Sequence, residues 1–141
     1  MTTETRSLET NAAPEALWKL WSDPSTWAEW NPDVERMEVS GLVEPGKTGQ
    51  MHTKGGRHHQ ITFTDVQPGR AFTLETRVIP GTKFAFTCRI DPRAGGATIS
   101  QSITVKGPLG GIAGPMMAGQ IANTFPPILQ GLAKKAGDGA A

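Results

Sequence analysis

The hydrophobic period of the chain changes twice. Near the start, Ala13, Leu17, Leu20 and Trp21 recur at the i, i+4, i+7, i+8 spacing of one buried helix face. Asn11 stands where a helix cap belongs, Pro14 and Glu15 suit a first turn, and Asp23-Pro24 stops the run. A short strand over Arg6–Thr10 precedes this helix, and a second helical piece is predicted from Pro24 to Trp30, closed by Asn31-Pro32. From Val34 the period falls to two. Strands are predicted over 34–40, 49–53, 58–66, 71–78, 82–91 and 97–105, separated by turn segments such as Lys54-Gly-Gly-Arg57. After a loop from Gly107 to Gly111, the apolar positions Met117, Ile121, Phe125, Ile128, Leu129 and Leu132 return to helical spacing and predict a long C-terminal helix. Pro126-Pro127 removes two backbone donors, which predicts a kink or break near Asn123 to Phe125. Residues 1–4 and 137–141 are expected to fray from a single domain spanning 1–141.

Residues two apart in a strand share a face, so parity sorts the side chains. One parity collects Met37 and Val39, Met51, Ile61 and Phe63, Phe72, Leu74 and Val78, Phe84, Phe86 and Ile90, and Ile99, Ile103 and Val105. The other is rich in Thr, Ser, Arg and Lys, as in an antiparallel sheet with one wet face. The class is therefore α+β, with a curved antiparallel sheet of six to seven strands around a long C-terminal helix and two short helices after the first strand. One helix covers so wide a sheet poorly, and strand twist leaves an apolar void between them. The expected cavity wall comprises Trp27, Trp30, Met37, Met51, Phe63, Phe72, Leu74, Thr76, Phe84, Phe86, Gln101, Ile103, Met117, Ile121 and Phe125. The alternative is that these bulky side chains fill the space.

Several segments resemble a known superfamily. Ala12-Ala-Pro-Glu-Ala-Leu-Trp18, Asp23-Pro-Ser-Thr-Trp27, Trp30-Asn-Pro32 and Val66-Gln-Pro-Gly-Arg70 are similar to the helix start, the Asp-Pro-x-x-Trp-x-x-Trp segment and the turn before the fifth strand of SRPBCC proteins. That superfamily includes START lipid-transfer domains, birch-pollen-allergen-type proteins and polyketide cyclase/dehydrase-like proteins. The resemblance covers roughly Arg6 to Lys135 and implies the helix-grip fold. It implies a small hydrophobic ligand, such as a lipid, polyketide or aromatic metabolite. Other members carry out cyclase/dehydratase chemistry, and fold alone does not decide between these roles.

Six polar residues fall on the apolar parity: Glu35, His59, Asp65, Thr76, Cys88 and Gln101. An inward polar group must be satisfied or else serve a ligand. Glu35 and Asp65 lie at strand ends and read as surface carboxylates. His59 is the candidate catalytic residue, a general base or hydrogen-bond partner for a carbonyl; its other reading is a rim histidine bonded to a neighbour. Thr76 and Gln101 are candidates to orient a ligand's polar group. Cys88, between Phe86 and Ile90, reads as a small packing residue. His58 and His59 point to opposite faces, so no metal site is expected. The Lys54-Gly-Gly-Arg57 loop lacks phosphate-loop spacing but suits an acidic head group at a cavity mouth. Trp18, Trp21, Trp27 and Trp30 serve core packing or, for Trp27 and Trp30, a stacking wall.

Composition narrows the remaining choices. The formal net charge is +1 over 141 residues, which disfavours nucleic acid as a partner. That total conceals net −5 over residues 1–47 and net +6 over residues 48–141. A single cysteine cannot form an internal disulfide, and the polar N-terminus suggests a cytoplasmic protein. The most membrane-like stretch, Gly107 to Ala122, is too short and glycine-rich to span a bilayer. No cofactor is required by these readings. A protein partner remains a third alternative, docking on the exposed strand face or the Met-rich helix start.

Overall fold

A computed structural model describes residues 2–79, 81–107 and 114–137. The loop expected beyond Gly107 and the tail expected to fray beyond Gly137 lie outside the described residues. Seven strands form one antiparallel sheet: β1 (Thr2–Thr10), β2 (Val34–Glu38), β3 (Thr48–Thr53), β4 (Arg57–Gln67), β5 (Ala71–Ile79), β6 (Thr82–Arg93) and β7 (Gly96–Lys106). Their order is β1-β7-β6-β5-β4-β3-β2, a six-strand meander whose last strand takes β1 alongside. The first strand begins at Thr2 rather than Arg6, because Thr2, Thr3 and Glu4 pair with Val105, Thr104 and Ile103.

Two helices follow β1. The first, α1 (Pro14–Trp21), buries Leu17 and Trp21. Its cap is Ala13 and not Asn11: the Thr10 hydroxyl accepts the Ala12 N–H at 3.0 Å, so the chain turns two residues later than the cap pattern suggests. Asp23 then caps a short 3₁₀ turn, accepting from the Ser25 N–H at 3.1 Å, and leads into α2 (Trp27–Trp30). The tryptophans of this segment are core residues with their donors satisfied. Trp27 Nε1 donates to the Trp21 carbonyl at 3.1 Å, and Trp30 Nε1 donates to Thr26 Oγ1 at 3.2 Å.

The C-terminal helix is broken where two prolines require it. The first segment, α3 (Gly114–Ala122), ends with the Thr124 hydroxyl donating to the Ile121 carbonyl at 2.7 Å. The second, α4 (Phe125–Ala136), begins with Phe125-Pro126-Pro127 in its first turn, where missing N–H donors cost nothing. Arg6 of β1 ties the break to the sheet, its Nη2 donating to Asn123 Oδ1 at 3.1 Å.

The strand register shifts at three places, between Val34 and Arg36, between Phe63 and Asp65, and between Arg77 and Ile79, and the first two change the facing of named side chains. Val34 pairs with Thr53 and Arg36 with His52, so Glu35 is an extra, exposed residue and Val34 turns inward. Phe63 pairs with Leu74 and Asp65 with Thr73, which moves Asp65 to the wet face and gives Val66 the inner position opposite Phe72. Glu35 and Asp65 are thus not inward-facing, as simple alternation has them, but exposed carboxylates. On the wet face, hydroxyl pairs Thr3–Thr104 and Thr73–Thr87 each lie 2.9 Å apart.

Candidate functional site

Between the sheet and the broken helix lies a cavity of about 430 Å³, within the size range of small-ligand sites. Its floor is the inner face of the central strands: Phe72, Leu74 and Thr76 of β5, Phe84, Phe86 and Cys88 of β6, and Gln101 of β7. Ile121, Phe125 and Ile128 face them from the two helix segments, with Thr124 at the break. Trp21, Trp27 and Trp30 close one end. Trp27 stacks on Phe72 with centroids 5.8 Å apart, and Phe86 meets Phe125 edge-on at 6.2 Å. Because volume remains open, these bulky side chains do not fill the space.

The wall becomes more polar toward the β3–β4 turn. Along β4 the inner positions run Phe63, Ile61, His59, Arg57, from fully buried apolar to exposed charge. Met51 and Thr53 of β3, Lys54 of the turn, Asn31 and Asp33 between α2 and β2, and Val34 at the start of β2 complete this end. Lys54, Arg57 and Asp33 are exposed, so here the cavity meets solvent.

Of the residues anticipated on the wall, Trp27, Trp30, Met51, Phe72, Leu74, Thr76, Phe84, Phe86, Gln101, Ile121, Phe125 and His59 line this cavity. Four others do not. Phe63 is fully buried behind it, packed edge-on to Trp27 at 6.2 Å and Phe72 at 5.8 Å. Ile103 is fully buried beneath the helices, and Met37 and Met117 pack at the margin of the core. Parity chooses the face of a strand, but position along the strand decides between core and cavity.

The sequence pattern does not point to Trp21, Asn31, Asp33, Val34, Thr53, Thr124 or Ile128 as cavity residues, reads Cys88 as packing, and offers the loop from Lys54 to Arg57 only as a cavity mouth. Thr53 and Arg57 share the parity of Met51 and His59, so extending each strand by one inner position finds them. Val34 is hidden by the bulge, and Asn31 and Asp33 occupy a loop without periodicity.

The polar groups differ in how well they are satisfied. The Thr76 hydroxyl donates to the Gln60 carbonyl at 2.9 Å, which ties it to the sheet. Gln101 is 9% exposed, and its side-chain amide has no hydrogen-bond partner among the described residues. His59 Nε2 lies 3.4 Å from Thr53 Oγ1. Burial, then the charges of Arg57 and His58, hold its pKa below the usual histidine value, favouring neutral imidazole. Complete burial pushes the Cys88 thiol far up, so it has no thiolate character at neutral pH.

The same architecture recurs in solved structures. The START superfamily protein from Mycobacterium smegmatis superposes with a TM-score of 0.74 at 14% identity, over 95% of this chain and 96% of that one. The protein XoxI from Bacillus cereus gives 0.76 at 16% identity, over 95% and 94%. The di-domain ARO/CYC BexL gives 0.73 at 18% identity, over 96% of this chain and 50% of that chain. At these identities the likeness is one of fold. No curated protein sequence matches the chain. The family described as polyketide cyclase/dehydrase and lipid transport matches residues 1–137, nearly the full length. By that match, and with the helix-grip architecture its sequence implied, the chain belongs to the polyketide cyclase/dehydrase and lipid transport family.

Proposed function

We propose that this protein binds a small hydrophobic molecule, a lipid, polyketide or aromatic metabolite, in the cavity between sheet and helix. The observation that carries this reading is the Gln101 amide, which has no hydrogen-bond partner among the described residues and faces the open volume from a largely apolar floor. Bordering open volume, the amide is free both to donate to and to accept from a ligand's polar atom. Apolar contact, at about 25 cal/mol per Å², supplies most of the affinity, while Gln101 and Thr76 orient the ligand. The free cysteine and the family's ligand chemistry support a cytoplasmic carrier or receptor.

Native mass spectrometry of the purified protein, followed by organic extraction, tests this reading. A bound small molecule, or uptake of a hydrophobic fluorescent probe, is the expected result. An empty protein that also refuses the probe overturns it, and moves a protein-docking role to first place.

A cyclase/dehydratase reading has its own observation in His59, whose imidazole lines the cavity and whose pKa burial lowers. It accepts a proton from a carbon flanked by carbonyls, promoting ring closure of a folded poly-β-keto chain. Cyclised product from a poly-β-ketone thioester, lost in His59→Ala while binding persists, is the expected result. Equal turnover by the variant sinks that role.

A further inference from the structure

We propose that the ligand is an amphiphile with an anionic end, held at the β3–β4 turn by Lys54 and Arg57 while its apolar body occupies the cavity. This rests on the reading of the cavity as a ligand site. Lys54 and Arg57 both line the cavity, and neither has an ion-pair partner among the described residues. Elsewhere on the sheet, Arg36, Lys83, Arg89 and Lys106 each have a carboxylate within reach, while Arg77 of β5, which has none among the described residues, lies on the wet face away from the cavity.

Asp33, the carboxylate on the same wall, does not neutralise the pair. It too has no ion-pair partner among the described residues, and it meets Lys54 only through its backbone carbonyl, which accepts the Lys54 N–H at 3.1 Å. The mouth therefore carries two cations against one anion. Gly55 and Gly56, at φ +91° and +78°, form a turn that residues with a Cβ rarely adopt, and it sets Lys54 and Arg57 beside one opening.

The order of side chains along β4 matches the polarity of such a ligand. Arg57 stands at the rim, His59 one inner position deeper, and Ile61 deeper still. The field of Arg57 reaches inward, since it helps keep His59 unprotonated. A carboxylate or phosphate at the rim meets that field favourably, and an ammonium there does not.

Quenching of the tryptophan fluorescence from the cavity wall measures this preference. The probes are decanoate, decyl phosphate, decanol and decyltrimethylammonium, which share one chain and differ in the end group. Decanoate and decyl phosphate are expected to bind about tenfold more tightly than decanol, the yield of two exposed ion pairs. Decyltrimethylammonium binds most weakly. The double variant Lys54→Gln/Arg57→Gln is expected to bring decanoate within about twofold of decanol and to leave decanol unchanged. Added salt weakens decanoate selectively. Both residues are exposed, so an unchanged melting temperature certifies the variant's fold. Equal binding of decanoate and decanol to the wild type, or a preference that survives in the variant, overturns the inference and leaves the cavity reading standing. Failure of every probe overturns both.

Discussion

Gly131 of α4 lies so close to the carbonyl oxygen of Trp30 that a Cβ on residue 131 would overlap it. This contact seats the helix on α2 and sets the position of a tryptophan that walls the cavity. In most helices Gly→Ala stabilises by about 0.5–1 kcal/mol. Gly131→Ala is expected to destabilise by about 1–3 kcal/mol, the range for overpacking a close contact. Gly119 of α3 has open space around it, so Gly119→Ala is expected to stabilise. Urea unfolding of the two variants checks the opposite signs; the same sign for both refutes the assigned contact.

Gln101→Leu separates stability from binding. Removing an amide that has no partner among the described residues and opens onto the cavity leaves the protein about as stable as the wild type. Affinity for a ligand that hydrogen-bonds there falls about three- to tenfold, the worth of one net hydrogen bond. Calorimetric titration with the extracted ligand, beside thermal unfolding, reads both quantities. A large drop in melting temperature contradicts the absence of a protein partner for this amide.

The His59 pKa is lowered in the folded protein by burial first, then by Arg57 and His58. The unfolded chain therefore takes up a proton near its ordinary value of about 6.5, while the folded protein resists until lower pH. The contribution to stability is complete above about pH 6.5 and is lost as pH falls below it. Denaturation profiles between about pH 5 and 7 are expected to slope less in His59→Gln. Identical slopes would show that the imidazole titrates normally.

Cys88 combines full burial with a raised thiol pKa. Iodoacetamide at about pH 8 is expected to leave it unmodified in the native state and to alkylate it fully in urea. Rapid native labelling, followed by mass spectrometry, would show that the cavity admits solvent to β6.

Most of the architecture was legible because alternation and helical spacing are local consequences of burying one face. Leu74, Thr76, Phe84, Phe86 and Gln101 line the cavity from the parity that alternation assigns them. Pro126-Pro127 located the helix break, since a missing donor acts through its own residue. Asn11 misled because α1 is capped two residues further on, at Ala13, after a turn held by the Thr10 hydroxyl.

The tertiary structure decided what alternation cannot carry. One extra residue in a strand reverses every side chain beyond it, which exposed Glu35 and Asp65 and brought Val34 inward. Phe63 and Phe72 share the inner face, yet only Phe72 borders open space, because sheet curvature and helix placement govern depth along a strand. Local spacing determines the face a residue takes; the distance between sheet and helix, set by contacts far apart in the chain such as Gly131 on Trp30, determines whether that face meets a neighbour or a cavity.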